Sequence, residues 1–393
     1  MPQIAAPMRL ATAVRPYDWG SVTALPELFG TEPTGRPQAE LWMGAHPGDP
    51  SSVDGVPLDQ IIARDPAGTL GERVAARFGP VLPYLLKVLA IERPLSLQVH
   101  PTSAQAAAGF AEESARGVPL DDFARTYKDA SHKPEMVCAI TPFHGLCGFR
   151  EPAATAALLE RLGLPDLRPW IDTLRTQEPG AALRTVFASI FDDASRPLLA
   201  QVEQALLGQE GGDGLGVYAG IARACPGDPG VVAALLLHHV NLLPGEALYL
   251  GAGVPHAYLG GIGVEIMANS DNVLRCGLTT KHIDVPELMR VVDFTPGDPF
   301  LVRSERDVPG EHHYRPPAPE FALTRYDLSE GSPHTIPGGD PQIVVCIEGE
   351  ARLGTGSLTL RPGESAFIPA AAPTTSLTGK GTTYRALPSS PPS

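Results

Sequence analysis

The stretch PGEALYLGAGVP, residues 244–255, is answered near the far end of the chain by PGESAFIPAAAP, residues 362–373. In both, a Pro-Gly turn is followed by Glu, a short apolar run and a closing proline at the same offset. A further strand-like run precedes each copy, VVAALLLHHVNLL (231–243) in one case and QIVVCIEGEARL (342–353) in the other. Short strands repeated between Pro-Gly turns are the signature of a double-sheet jelly roll, so two barrels are expected. The first copy runs on into His256, whereas no comparable histidine follows Ala372. One barrel is therefore expected to carry polar interior residues and the other to be bare.

Outward from the repeat, the 393 residues have room for two or three domains. The 41 glycines and 42 prolines favour turns over long helices. Up to about residue 150 the text is short strands and turns, including VLPYLLKVLA (81–90) and PLSLQVHP (94–101), with a helical excursion across 103–127. Past Arg150 the apolar spacing becomes helical, at Leu158, Leu159, Leu162, Ile171 and Leu174, with Pro152 and Asp166 suited to helix starts. The expected architecture is mainly β: cupin-type double-sheet jelly rolls (two barrels) with an all-helical insertion domain. Residues 1–150 and 231–320 would form a discontinuous catalytic domain and 151–230 the insertion. Residues 321–393 would form a C-terminal cupin-like barrel without metal, its tail after residue 379 low in complexity and frayed.

Composition narrows the function. Thirty basic and 44 acidic residues give a formal charge of −14, which argues against nucleic acid or an anionic membrane as partner. The apolar run before His238 is too short to cross a bilayer, and no signal-peptide run opens the chain. Five scattered cysteines without a CxxC pair point to reduced thiols and a cytoplasmic address. Only five of the 30 basic residues are lysines: Lys87, Lys128, Lys133, Lys281 and Lys380. Against that arginine preference, a lysine suggests a place where an ammonium is needed.

Three segments set unusual polar residues in strand contexts: SLQVHP with Gln98 and His100, SHKPEM with Glu135, and GVPHAY with His256. Singly, each reads as a solvated edge, a surface charge or a loop. Together they differ. Gln98 and His100 share one face of a strand, roughly 6.5–7 Å apart, and can converge on one point. A metal is the economical filler of a polar barrel interior, and oxygen and imidazole ligands suit Zn²⁺. Two His, one Glu and one Gln carry one negative charge, leaving a positive centre fit to stabilise an oxyanion.

The motifs YDWGS (17–21), ELWMGAHP (40–47), LPYLLKVL (82–89), PLSLQVHP, HKPEM (132–136), GLCGFR (145–150), GVPHAY and VEIMANSDNVLRCGLTTKHID (264–284) together resemble the class I mannose-6-phosphate isomerases. The agreement runs from near residue 15 to about 290. The resemblance implies a zinc-dependent cupin enzyme with one Zn²⁺ per chain, held by Gln98, His100, Glu135 and His256. It implies an aldose–ketose isomerase acting on a small sugar phosphate and feeding mannose and GDP-mannose metabolism. Arg275 matches the arginine this family treats as catalytic; always protonated, it would stabilise an enediolate. Lys133 and Glu265 are the rival bases, with a purely orienting role for Glu265, toward His256 or Arg275, as its alternative. Ser96, Lys87, Lys281, His132 and Tyr258 are the expected substrate-binding groups, and the enzyme is expected to be a monomer. A glucose 6-phosphate isomerase, a cupin dioxygenase and a non-catalytic sugar-binding cupin are the competing readings.

Overall fold

One long strand, His256–Ala268, organises the first part of the chain. The computed structural model describes residues 5–208, 214–354 and 358–389. The N-terminal half of this strand pairs with Phe143–Phe149 on one side and meets Leu97–Val99 on the other. Its C-terminal half pairs with Tyr84–Ile91 and Glu135–Ala139. The change of partners happens at a bulge after Tyr258, where Gly261 takes φ +113°. A Cβ there would lie 2.6 Å from the Pro142 carbonyl oxygen, so glycine is required. The bulge also shifts the side-chain alternation by one, which turns His256 and Tyr258 on one half, and Glu265 on the other, toward a common interior. The resulting antiparallel sheet system has eleven strands among the described residues.

Each strand of this system that carries polar interior residues is covered on its other face. Leu97 and Val99, which alternate with Gln98, join Phe149, Leu274 and Cys276 in one core with the helical segment that follows residue 150. That segment contributes Leu159, Ile171, Leu183, Phe187, Val202, Tyr218 and Leu236, among others. Its helices include Pro152–Glu160, Arg168–Thr176, Pro179–Ile190, Arg196–Leu207, Gly216–Ala224 and Gly230–Ala233. Pro152 opens the first of them, a position where its missing N–H costs nothing. Leu86 and Val88, which flank Lys87, and Met136 and Cys138, which alternate with Glu135, pack instead against Phe321, Leu323, Ile343, Val345, Phe367 and Tyr384 of the last part of the chain.

That last part is an eight-stranded antiparallel sheet with its own core around Leu353, Ala366 and Leu377. It also takes in the strand Met8–Leu10, which pairs with Ser365–Phe367. The sequence repeat is a structural one. Leu243 N–H is capped by the Glu246 carboxylate at 2.8 Å, and Arg361 N–H by Glu364 at 2.8 Å. Gly245 and Gly363 have φ +86° and +83°, as the third position of a type II turn demands. The tail differs from expectation. Thr375–Leu387 is a strand paired with Ala322–Leu328 and Gln342–Leu353, and this pairing, not composition, decides its order. Residues 390–393 lie outside the described residues. No helix among the described residues is long and apolar enough to cross a membrane, and all five cysteines are free thiols.

Leu97→Ala should lower stability by about 2–5 kcal/mol, read as the shift in a urea denaturation curve, because the helical core cannot refill the space. A change below about 0.5 kcal/mol, the range of surface substitutions, would separate Leu97 from that core.

Candidate metal centre

Strand register brings the polar residues into two rows. Across the first, Gln98 lies directly opposite His256 on one side and Arg275 on the other. Directly paired residues of antiparallel strands project to the same face. Across the second, Lys87 lies between Trp42 and Glu265. Glu135 sits two residues before Val137, the next partner of Glu265, and so shares its face.

His100, Glu135 and His256 are all buried, and one ligand atom from each lies within 4.8 Å of the others. The two imidazoles are oriented by backbone carbonyls. His100 Nδ1–H donates to the Asn272 carbonyl at 2.8 Å, and His256 Nδ1–H to the Val254 carbonyl at 2.9 Å. Those bonds fix the tautomers and aim both Nε2 atoms at Glu135. Burial, partly opposed by Glu135, pushes His100 down to about 4, so its Nε2 presents a lone pair at neutral pH. The Nε2 atoms stand 3.3 Å (His100) and 3.4 Å (His256) from the carboxylate oxygens. Charge-assisted N–H···O bonds close to about 2.7–2.9 Å, so these are not tight ion pairs. His100 Nε2 and Glu135 Oε2 have no hydrogen-bond partner. Such orphaned buried atoms are costly, and a cation between them removes the cost. Gln98 closes the group: its amide nitrogen lies 3.4 Å from His256 Nε2, and a half-turn of the amide puts the oxygen there. The donor set of two imidazoles, a carboxylate and an amide oxygen fits Zn²⁺.

The surrounding charges form a connected set. Burial alone would push Glu135 up, but Lys133 at 3.0 Å and the imidazoles hold it well below the usual carboxylate range. Lys87 bridges Glu40 at 3.3 Å and Glu265 at 3.1 Å. Burial disfavours its ammonium, yet these two carboxylates and Glu135 outweigh that and raise its pKa. Tyr258 donates to Glu265 at 3.0 Å. Burial, reinforced by the charges of Glu135 and Glu40 and opposed by Lys87, raises the pKa of Glu265 above the ordinary glutamate value.

At the mouth the arrangement is different. Arg275 is half-buried, burial alone lowers its pKa, and its guanidinium finds no carboxylate among the described residues. Lys281 lies at the surface, and its pKa is lowered by partial desolvation and then by the charges of Arg275 and Lys128. Lys128 donates to the Leu120 carbonyl at 2.6 Å. Three cations thus approach one another with no ion pair among the described residues, in a chain of net charge −14.

The remaining expected groups are distributed around this centre. Ser96 is half-buried ahead of the strand. His132 turns toward Glu320 of the last sheet's approach segment, Nε2 to Oε1 2.8 Å, rather than flanking Glu135. Glu265 contacts neither His256 nor Arg275; its partners are Lys87 and Tyr258. Sequence reasoning assigned no role to Asn272, which is fully buried. Its side-chain oxygen accepts from Lys128 N–H, and its amide donates to the Asp129 and Ser131 carbonyls at 2.8 Å each. It thereby ties the loop ahead of Glu135 to the carbonyl that orients His100. Glu40 was likewise missed; it holds Lys87 and accepts from Trp42 Nε1 at 2.5 Å. Both sit inside the quoted motifs, but only the folded pairing gives them partners.

Comparison with known proteins agrees with this geometry. The family model described as phosphomannose isomerase type I, catalytic domain, matches residues 8–152. A second, mannose-6-phosphate isomerase, cupin domain, matches residues 312–388 and so reaches well beyond the motifs, which thin out near residue 290. Mannose-6-phosphate isomerase of Escherichia coli is 44% identical over 376 residues, covering 92% of this chain and 94% of its own. The Homo sapiens enzyme of the same name is 35% identical over 357 residues, 81% of each chain. A crystal structure of mannose 6-phosphate isomerase with zinc bound superposes with a TM-score of 0.91 at 39% identity, covering 98% of this chain and all of that one.

Asn272→Ala should weaken metal affinity by about 10–100-fold, the usual penalty for losing a partner that orients a ligand. Competition with a chromophoric chelator measures it; an unchanged affinity would mean that His100 is held by other means.

Proposed function

The chain belongs to the type I phosphomannose isomerase family and interconverts mannose 6-phosphate and fructose 6-phosphate; we propose that it does so through a cis-enediolate formed inside the first sheet system. In this reading the fold is two cupin-type jelly rolls joined with a helical insertion, and the first roll holds the chemistry. Gln98, His100, Glu135 and His256 would hold the zinc. Bound there, zinc supplies a Lewis acid for sugar oxygens on which negative charge develops. The observation that carries the reading is the orphaned pair of buried atoms, His100 Nε2 and Glu135 Oε2, with Arg275, which has no ion pair among the described residues, in register with Gln98.

The protein's own groups divide the rest of the work. Isomerisation removes the proton from C2 of the open-chain aldose and returns one to C1, while the hydroxyl proton at O2 is exchanged for one at O1. Glu265 takes the carbon-bound proton. Its pKa is raised toward the operating range, and Tyr258 and Lys87 fix its orientation. Lys133 sits against Glu135 at 3.0 Å, and its ammonium faces the sugar as a donor. Arg275, in register with the Gln98 ligand, stabilises the enediolate charge and, with Lys281 and Lys128, receives the phosphate. Ser96, on the segment that leads into the Gln98 strand, borders the same mouth. A dioxygenase would have no use for three neighbouring cations there. In this reading the enzyme works as a monomer, and five free thiols suit a cytoplasmic setting.

Dialysis against a chelator should abolish ketose formation from mannose 6-phosphate, and added Zn²⁺ should restore it; turnover that survives complete zinc removal would overturn the assignment. Glu265→Gln should lower kcat by about 10²–10⁴-fold while retaining zinc, and should stop solvent deuterium from entering C2. If exchange persists in that variant but ceases in Lys133→Ala, the base is Lys133.

A further inference from the structure

The turn between Cys276 and Lys281 has an unusual backbone. Leu278 is not glycine, yet it takes φ +54° while its side chain is buried among the helical residues. Gly277 has φ +131°, and a Cβ on it would lie 2.4 Å from the Gly230 Cα. The strand Leu274–Gly277 also bulges between Arg275 and Gly277. Left-handed geometry at a branched apolar residue persists only where its surroundings impose it.

One carboxylate does the imposing. Asp228 lies in the helical segment, between the helices Gly216–Ala224 and Gly230–Ala233. Its Oδ1 accepts from Leu278 N–H and from Gly230 N–H, both at 2.7 Å, and its Oδ2 accepts from Thr279 N–H at 3.0 Å. Thr279 Oγ1 then accepts from Lys281 N–H at 3.1 Å. A chain of hydrogen bonds therefore runs from a helix junction, through the strained turn, to the backbone of Lys281. Arg275 stands three residues before Leu278 on the same ribbon.

We propose that Asp228 is a positioning residue that sets the spacing of Arg275 and Lys281 from the helical segment, and so tunes the grip on the substrate's phosphate without touching it. The proposal rests on the reading above that these cations receive the phosphate. It gives the helical segment a task beyond covering the sheet: it supplies the anchor for the anion site. A carboxylate is needed because all three of its bonds run from N–H donors. An amide in its place would present a donor to one of them.

Asp228→Asn keeps the volume and removes one acceptor. It should raise KM for mannose 6-phosphate and the inhibition constant of inorganic phosphate together, by about tenfold, the scale of one lost hydrogen bond to a charged group. kcat should fall by a smaller factor than the two constants rise, because Arg275 also serves the enediolate, and zinc content should not change. A fall in kcat with both constants unchanged, a loss of zinc, or no effect at all would overturn the proposal. Should Asp228→Asn fail to fold, Thr279→Val removes only the acceptor for Lys281 N–H. The same split at smaller amplitude is then expected, and an unchanged phosphate constant overturns it. Lys281→Ala separates the two layers. If it weakens phosphate inhibition while Asp228→Asn does not, the strut alone is wrong. If Lys281→Ala has no effect on phosphate either, the anion site is misassigned and the strut falls with it.

Discussion

Two imidazoles that give their Nδ1 protons to backbone carbonyls, and aim their other nitrogens at one buried carboxylate, form the constraint around which the first sheet system is built. In the absence of a cation this is an unfavourable assembly: His100 Nε2 and Glu135 Oε2 are taken out of water without a hydrogen-bond partner. It can exist because each contributing strand is held from behind. Leu97 and Val99 lock one strand to the helical core, while Leu86, Val88, Met136 and Cys138 lock two others to the last sheet. The apolar faces hold the polar ones in place.

The same economy of faces explains how one strand serves both halves of the centre. His256 and Glu265 are an odd number of residues apart, and on an uninterrupted strand they would point to opposite sides. The bulge and the glycine bend at Gly261 bring them to one interior, where the Tyr258–Glu265 hydrogen bond spans the bend. The electrostatics are divided by depth. In the interior, Glu40 and Glu265 share Lys87 and Glu135 meets Lys133, whereas Arg275 and Lys281 at the mouth have no ion pair among the described residues.

Much of this was legible in the sequence, for identifiable reasons. The alternation of 95–101 marked an apolar and a polar face because the side-chain period of a strand is local. The Pro-Gly-Glu repeat was readable because a type II turn is specified by its own four residues. What escaped depends on partners far away in the chain. Asn272 acquires its role from Lys128, Asp129 and Ser131, and Asp228 from Leu278 and Thr279. His132 looked like a site residue by adjacency, yet Glu320 draws its ring away. The tail looked disordered by composition, yet strands on both sides pair with it.

The strand Met8–Leu10 has one more implication. Its partners, Ser365–Phe367, lie about 350 residues later, so this strand cannot be seated until they too have left the ribosome. At roughly 5–20 residues per second that wait is on the order of twenty seconds to a minute. Throughout it the hydrophobic side of the nascent first sheet, normally capped by the final one, stays uncovered. Biogenesis of this chain is therefore a race between the emergence of that last sheet and self-association, set by topology more than by native stability.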